Sequence, residues 1–242
     1  TQEFFDHVLS CNKTKGTKLK RHNLILPVLQ SFFEELGYEF DTSVDGCGFS
    51  NVIHAVPGQG SGRLPGDCKL DAVAHWVADR SKSWGIDVTV WHQNSQSARK
   101  NESAASAPNA DCFITRAAET SKYAKYLQLC NDRGIQLLPS AFNTYGGWGE
   151  VILKEVVHPH FNKLRDEEFE KCGHEWAALQ KREFLFQAVS VAIAKGNSII
   201  LNTMDQEWRM AHRAKQMRGT PFAAKPDLSE KSEIAVSIAA GA

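Results

Sequence analysis

Two acidic residues in neighbouring predicted strands are the first candidates for chemistry. Asp71 lies in the apolar run 70–77, and Asp87 lies in the run 85–91. Aspartate is disfavoured inside strands, and two carboxylates brought together by paired strands suit a hard cation such as Mg²⁺. A purely structural interpretation also fits, because Asp71 would then simply begin a strand and Asp87 would lie on a solvated face.

The strands that would position these carboxylates form a predicted β-hairpin. Apolar and polar residues alternate along 85–91, which is the pattern of a half-buried strand. Ile86, Val88 and Val90 fall on one face of this strand, and Asp87 falls on the other. The polar segment 79–83 separates the two runs, so we expect a hairpin with an irregular turn.

A predicted helix at 116–133, closed by Gly134, carries a second set of polar residues. Glu119, Lys122 and Tyr126 are three and four residues apart and therefore share one helical face. Lys125 points about a sixth of a turn away from Lys122. Taken alone, this pattern indicates a surface stripe.

The N-terminal segment is basic over residues 12–22. Its basic residues, without any acid among them, are Lys13, Lys15, Lys18, Lys20 and Arg21. Such a run is either a solvated segment or a cluster that contacts phosphates. Before it, His7 and Cys11 are spaced as half of a zinc site would be, although a lone histidine and a lone cysteine fit the same spacing.

The remaining elements are predicted from periodicity and turn residues. In chain order they are a helix at 23–37 with Asn23 as its cap and Pro27 near its first turn, a strand at 38–42, a strand at 135–142, a turn at 143–150, and helices at 150–158, 163–195 and 199–218. Pro139 inside 135–142 favours an edge strand or a bulge. Gly196 is expected to end the helix before it. Together these elements predict an α/β protein with a mixed sheet.

Length and composition set the class of protein. The chain has 242 residues, 42% of them hydrophobic, and 28 basic residues balance 28 acidic ones. Any nucleic-acid surface must therefore come from local clustering of charge. The longest apolar stretch, 184–194, is too short to span a bilayer, so we expect no membrane partner. Six scattered cysteines and no signal peptide predict an intracellular, reduced protein, and the dense start at Thr1 suggests a piece of a longer chain.

The order of these elements and several short motifs resemble the PD-(D/E)XK nuclease fold. More narrowly, the chain is similar to the restriction-like endonuclease domain that follows the reverse transcriptase in site-specific non-LTR retrotransposons. The matching motifs are DHVLSC with the following KRHN, the KLDAV and GIDVTVWH strands, the SKYAKY helix and the NTYGGWGE turn. The resemblance covers residues 5 to about 200. It implies an α/β sandwich with a mixed central sheet and additional C-terminal helices.

The resemblance also implies roles for individual residues. Asp71 and Asp87 would be the two acids that hold Mg²⁺ or Mn²⁺, and Lys122 with Tyr126 would match the catalytic K-x-x-x-Y motif. Thr89 stands where the common form of the fold has its lysine, and Leu70 stands where the family usually has proline. His7 and Cys11 would be the last two ligands of a zinc element whose other cysteines are absent from this sequence. The basic residues of 13–21 together with Lys125 would contact DNA.

The expected organisation follows from this resemblance. Residues 1–22 would be the remnant of the zinc element with the basic segment, 23–160 the nuclease core, 161–218 a helical extension and 219–242 a mobile tail. The expected function is nicking of DNA by a Mg²⁺-dependent endonuclease, in the nucleus, within a reverse-transcriptase polyprotein that also contacts RNA. Two alternatives stay open: an inactive nucleic-acid-binding module of the same family, or an unrelated α/β enzyme whose GGWG turn binds a phosphorylated small molecule.

Overall fold

Helices and strands alternate along this protein, whose computed structural model describes residues 8–9, 15–42, 70–79, 82–92 and 110–219. Within these ranges the side chains of Lys15, of 110–113 and of 215–219 are not described. In chain order the elements are α1 (Lys15–Glu35), β1 (Tyr38–Asp41), β2 (Ala72–Trp76), β3 (Ser83–Trp91), α2 (Ala110–Asn131), β4 (Gln136–Asn143), α3 (Glu150–Ile152), a π-helical turn (Leu153–Val157), α4 (His158–Cys172) and α5 (Trp176–Gly219).

The described strands form one mixed sheet in the order β1-β2-β3-β4. β2 pairs with β1 and with β3 in antiparallel fashion, which confirms the predicted hairpin. β3 and β4 are parallel, and α2 lies between them in the chain, as a parallel pair requires a long crossover. β4 lies at an edge of the described sheet, which agrees with the position predicted from Pro139.

Helices cover both faces of the sheet, so the α/β class with a mixed sheet is correct. The larger core joins α1, the sheet and α5, and includes Ile25, Leu29, Phe33, Ile86, Val88, Leu138, Phe142, Val189 and Ile193. The smaller core lies against α2 and contains Leu70, Tyr126, Cys130, Ile135 and Leu137. Because side chains alternate along a strand, Asp87 lies between Ile86 and Val88 and points to the face covered by α2.

The first helix begins earlier than the sequence pattern predicts. α1 starts at Lys15, so Asn23 is no cap and Pro27 lies inside the helix. The basic segment 15–21 is part of this helix, and Arg21 within it is buried. The Nη1 of Arg21 donates to Asn197 Oδ1 at 2.9 Å, and its Nη2 donates to the Val90 carbonyl at 3.3 Å.

The C-terminal helices divide at a different place from the one expected. The predicted helix 163–195 is broken after Cys172, where Gly173 adopts a left-handed φ of 73° and donates its N–H to the Phe169 carbonyl. Glu168 then caps α5, because its carboxylate accepts from the N–H groups of Ala177 and Ala178 at 2.9 and 2.8 Å. These hydrogen bonds hold the pKa of Glu168 below its usual range.

Gly196 does not end a helix, contrary to the expectation. α5 continues through it to Gly219. A Cβ at Gly196 would collide with the backbone and side chain of Arg21. This glycine therefore allows α1 and α5 to approach closely, and the α5 residues Leu185, Val189 and Ile193 share the core of the sheet.

Two compact units are distinguished along the chain, Thr1–Leu201 and Asn202–Ala242. In the described part of the second unit, Trp208 stacks on His212 with ring centroids 5.3 Å apart, and Arg209 pairs with Asp205 at 2.8 Å. By length and composition alone, Trp176–Ala214 could cross a membrane, although 33% of its most apolar window is buried. Core helices of soluble proteins share these properties, so this stretch is weak evidence for a membrane contact.

Candidate functional site

Asp71 and Asp87 lie beside each other at the open end of the β2–β3 hairpin, which is the end away from its turn. Ala72 is paired with Ile86, so one further step along the register places Asp71 next to Asp87. The Asp71 N–H donates to the Ile86 carbonyl at 3.0 Å, and Asp71 Oδ2 accepts from the Val88 N–H at 2.7 Å. A side-chain oxygen thus takes the place of a strand carbonyl and holds the Asp71 carboxylate at this end of the hairpin.

Asp87 is a buried carboxylate with a perturbed proton affinity. The residue is 2% exposed. Burial raises the pKa of Asp87, the positive charge of Lys122 opposes that rise, and the negative charge of Asp71 adds to it. The negative charge of Asp71 thus disfavours the charged form of Asp87, and a divalent cation between the two would relieve this repulsion.

Lys122 reaches this carboxylate from α2 on the covered face of the sheet. Its Nζ lies 2.6 Å from Asp87 Oδ2, and its side chain is 21% exposed. This is the orientation expected for the lysine of the K-x-x-x-Y motif. Hydrogen bonds from the side chains of Lys122 and Tyr126 also oppose the rise in the pKa of Asp87, so the carboxylate is held by an ion pair and by the buried phenol.

Tyr126 and Lys125 lie next to this ion pair, and Tyr126 is buried whereas Lys125 is exposed to solvent. Tyr126 is 2% exposed, and Lys122 Nζ lies 5.8 Å from its ring centroid. Lys125 is exposed, and its Nζ donates to the Tyr126 hydroxyl at 2.6 Å. The buried phenol therefore contacts both lysines, whereas the Lys125 ammonium is held by the Tyr126 hydroxyl on the outer side.

His22 is a member of this cluster that the sequence analysis missed. Its Nε2 lies 2.9 Å from Asp71 Oδ2, and its Nδ1 lies 3.0 Å from Asn23 Oδ1. Burial lowers the pKa of His22, but the hydrogen bond and the charge of Asp71 outweigh burial, so the pKa is raised overall. The only signal was the KRHN motif, which lay before the expected start of the helix.

The carboxylate pair fits a divalent cation of the magnesium type. Magnesium binds proteins through one or two carboxylates and keeps several waters, and Asp71 and Asp87 supply two. Asp87 Oδ2 already contacts the Lys122 ammonium at 2.6 Å, so a cation at Asp87 would share this carboxylate with the lysine. Within the ranges that the structure describes, no group of three or more His, Cys, Asp or Glu side chains is arranged to hold a metal ion.

The expected zinc and DNA residues are only partly covered by the described ranges. His7, Cys11 and Lys13 lie outside them, and the side chain of Lys15 is not described. Lys18 is half-buried and Lys20 is exposed on α1, which leaves their contact with DNA a prediction.

Arg21 requires a correction, because it was expected to contact DNA. The residue is 2% exposed, and its guanidinium donates to Asn197 and to the Val90 carbonyl. Burial lowers the pKa of Arg21 to about 10. The side chain therefore joins α1 to α5 and β3 and does not reach a surface phosphate. Charge alone could not reveal this, since the burial depends on contacts with residues far along the chain.

Glu119 does not join Lys122 and Tyr126, although the three share a helical face. Its Oε1 accepts from the Val151 N–H at 2.9 Å, at the start of α3, where Gly149 offers no side-chain cap. Burial raises the pKa of Glu119, while the bond from Val151 opposes the rise. This residue therefore caps a helix and has no contact with the carboxylate pair.

Most N–H groups of the GGWG turn donate to neighbouring oxygens of the fold. Tyr145 and Gly147 donate their N–H groups to Asn143 Oδ1 at 2.9 and 2.8 Å. Gly146 donates to the Asn143 carbonyl, and Gly149 donates to the Ala141 carbonyl. A phosphate-binding turn needs N–H groups that point at the ligand, and these four point at groups of the turn and of β4; binding of a small phosphorylated substrate stays a prediction.

Comparisons with known proteins indicate no family. No family model matches the chain, and no curated protein sequence matches it. The function must therefore be argued from the geometry around Asp71, Asp87 and Lys122.

Proposed function

We propose that this protein is a metal-dependent DNA endonuclease with its active site at Asp71, Asp87 and Lys122. One observation carries the proposal: the Lys122 ammonium meets the Asp87 carboxylate at 2.6 Å, beside Asp71 at the end of β2. The three residues come from three different elements of the fold. Two carboxylates and a lysine at one place are the groups that phosphodiester hydrolysis needs.

The metal would be Mg²⁺ or Mn²⁺, held by Asp71 and Asp87. When bound, such an ion neutralises charge on a phosphate and lowers the pKa of a bound water. The Asp71 side chain is 24% exposed, so solvent reaches this carboxylate although Asp87 is buried. DNA can therefore approach from the side of Asp71, while the buried Asp87 supports the site from within.

Lys122 would act on the attacking water and on the phosphate. Its ammonium can hold a water by a hydrogen bond and can stabilise the negative charge that develops on the phosphate oxygens. Tyr126 packs beside it and is buried, so the lysine is held on the face of α2 that meets the sheet. Lys125, which is exposed, would contact the DNA backbone.

A second candidate function is nucleic-acid binding without cleavage. It is favoured by the fact that both carboxylates already have a basic partner, His22 for Asp71 and Lys122 for Asp87. Such pairing stabilises a site that never binds a cation. In this case the basic part of α1 would still contact phosphates, and the acidic pair would serve the fold.

The same proposal includes the cellular setting that the resemblance implies. The chain would be part of a reverse-transcriptase polyprotein, would act in the nucleus and would contact RNA as well as DNA. A reverse-transcriptase domain in the same polypeptide would support this setting.

Nicking of supercoiled plasmid in the presence of Mg²⁺ or Mn²⁺ tests the function. We expect the wild type to nick, and we expect Asp71→Asn and Asp87→Asn each to lose most of the activity. Asp79→Asn is the matched control and should retain the activity, since Asp79 lies at the turn end of the hairpin, where its carboxylate pairs with Lys82 at 3.9 Å. Thermal unfolding of each variant shows whether it is folded.

A gel shift on the same DNA separates the two candidates. Binding without nicking in either metal would favour the non-cleaving module. A protein that neither nicks nor shifts DNA would refute both proposals. Nicking that survives in the folded Asp87→Asn variant would move the active site elsewhere.

A further inference from the structure

The carboxylate of Asp71 is held at one oxygen by two separate donors. Oδ2 accepts from the Val88 N–H at 2.7 Å, and His22 Nε2 lies 2.9 Å from the same oxygen. Both contacts that the described residues make to this carboxylate thus go to Oδ2. The backbone donor comes from β3 and the imidazole comes from α1, so two elements fix the orientation of a single side chain.

The imidazole is itself held in place. Its Nδ1 lies 3.0 Å from Asn23 Oδ1, and its side chain is 17% exposed. The preceding residue, Arg21, is buried and joins α1 to Asn197 and to the Val90 carbonyl. Rotation of α1 that would withdraw His22 from Asp71 would also break these hydrogen bonds. The position of His22 is therefore set by the packing of the whole helix.

We infer that His22 is a positioning residue for Asp71: together with the Val88 N–H it holds Oδ2, so that Oδ1 is the oxygen offered to a divalent cation. This inference rests on the proposed metal-dependent function and deepens it. His22 need not touch the cation or the DNA to act. Its effect is to restrict the rotation of the carboxylate, which lowers the cost of ordering that side chain when a metal binds.

The reason to expect a measurable effect lies in the geometry of hard-cation sites. A carboxylate can turn about its χ angles, and the Asp71 side chain, which is 24% exposed, is oriented by the two donors at Oδ2. Partners that orient a ligand typically contribute about 10–100-fold in metal affinity or activity. Removing the backbone donor of Val88 would need a proline, which would disrupt β3, so His22 is the partner that mutation can test.

The test uses the full chain and two substitutions of similar size. His22→Gln retains an N–H donor, whereas His22→Met does not. His75→Met is the matched control, because His75 makes a comparable 2.7 Å contact to Ser83 at the turn end of the same hairpin. Mn²⁺ binding is measured without DNA by calorimetry or by electron paramagnetic resonance, and nicking is measured across a Mn²⁺ titration. Thermal unfolding identifies variants that do not fold.

We expect His22→Met to bind Mn²⁺ about 10–100-fold more weakly than the wild type. Its nicking should recover toward the wild-type rate as Mn²⁺ approaches saturation, because the residue positions a ligand and takes no part in the reaction. His22→Gln should recover most of the affinity, and His75→Met should keep it. If His22→Met fails to fold, His22→Gln is compared with His22→Ala. The glutamine retains an N–H donor and the alanine does not.

The outcomes distinguish the inference from the function on which it rests. A wild type that binds Mn²⁺ and nicks DNA, together with a folded donorless variant of equal Mn²⁺ affinity, would overturn the role of His22 alone. If the wild type binds Mn²⁺ and His22→Met binds it more weakly, but the wild type does not nick DNA, the inference is supported and the nuclease function is refuted. A wild type without Mn²⁺ binding would refute both.

Discussion

The ammonium of Lys122 on α2 lies 2.6 Å from Oδ2 of Asp87 on β3, and the Asp87 side chain is only 3% exposed. This ion pair connects α2 to β3, and both side chains are mostly buried. Removing one member of a buried pair typically costs about 3–5 kcal/mol, because the other charge is left without compensation. Lys122 therefore carries both a structural and a proposed chemical role, and experiments must separate the two.

The two lysines of α2 are expected to differ in cleavage and in binding. Lys122→Ala should reduce nicking by about 10²–10⁴-fold, the range for one positioned acid–base group, while a gel shift shows DNA binding largely preserved. Lys125→Ala should mainly weaken binding, since Lys125 is exposed and its Nζ contacts the Tyr126 hydroxyl. A folded Lys122→Ala protein that nicks normally, or a dead Lys125→Ala protein, would show that the lysine was assigned wrongly.

The salt dependence of DNA binding should separate two lysines of α1, Lys18 and Lys20. Lys18 lies one turn before His22 and so faces the side of the carboxylates, whereas Lys20 points almost to the opposite side. Lys18→Ala should reduce the log–log salt slope by about one unit, as expected for one lost phosphate contact, and Lys20→Ala should reduce it less. Equal slopes for both variants would contradict this orientation of α1 on DNA.

Arg21 supplies the contrast within the same segment. Arg21→Met should lower the free energy of unfolding, because a hydrogen bond with one charged partner contributes about 1.5–3 kcal/mol. Denaturant titration measures this loss. The salt slope of binding should be unchanged for the folded fraction, since the guanidinium is bonded to Asn197 and to Val90.

Gly196→Ala tests the close approach of α1 and α5. Helix propensity alone predicts that alanine stabilises the interior of a helix by about 1 kcal/mol. The new Cβ, however, would overlap the backbone of Arg21, and overpacking of this kind costs about 1–3 kcal/mol. We therefore expect a net loss of stability in denaturant unfolding. Gly173→Ala is a useful comparison, because there a left-handed φ and not a neighbouring atom opposes the substitution.

Glu119→Gln should change the pH dependence of stability. Burial raises the pKa of Glu119 in the folded protein, so its contribution is fully favourable below the unfolded pKa of about 4.3 and is lost as the pH rises through the folded pKa. Glutamine keeps an acceptor for the Val151 N–H without the buried charge. At pH 7 the variant should therefore be more stable than the wild type, and the difference should shrink near pH 4. Denaturant unfolding at both values measures it, and a variant that is less stable at pH 7 would contradict the sign.

Local patterns predicted the elements that carry the site. Alternation along β3 placed Asp87 on the opposite face from Ile86 and Val88, and the structure has that arrangement. The Lys122–Tyr126 spacing placed both side chains on one face of α2, and Pro139 indicated an edge strand. Each of these features depends on residues that are close in the chain, since strand and helix periods are set by local backbone geometry.

Long-range packing decided what the local patterns left open. The sequence pattern alone treated Arg21 as a surface charge and Gly196 as a helix end, yet the two meet where α1 crosses α5. His22 belongs to the carboxylate cluster only because that crossing fixes the rotation of α1. Lys122 and Glu119 share a face of α2, but they contact different elements. Lys122 contacts Asp87 on β3, whereas Glu119 accepts from the Val151 N–H of α3. Contacts between residues distant in the chain depend on how several elements pack together, and the local periodicity of the sequence does not specify that packing.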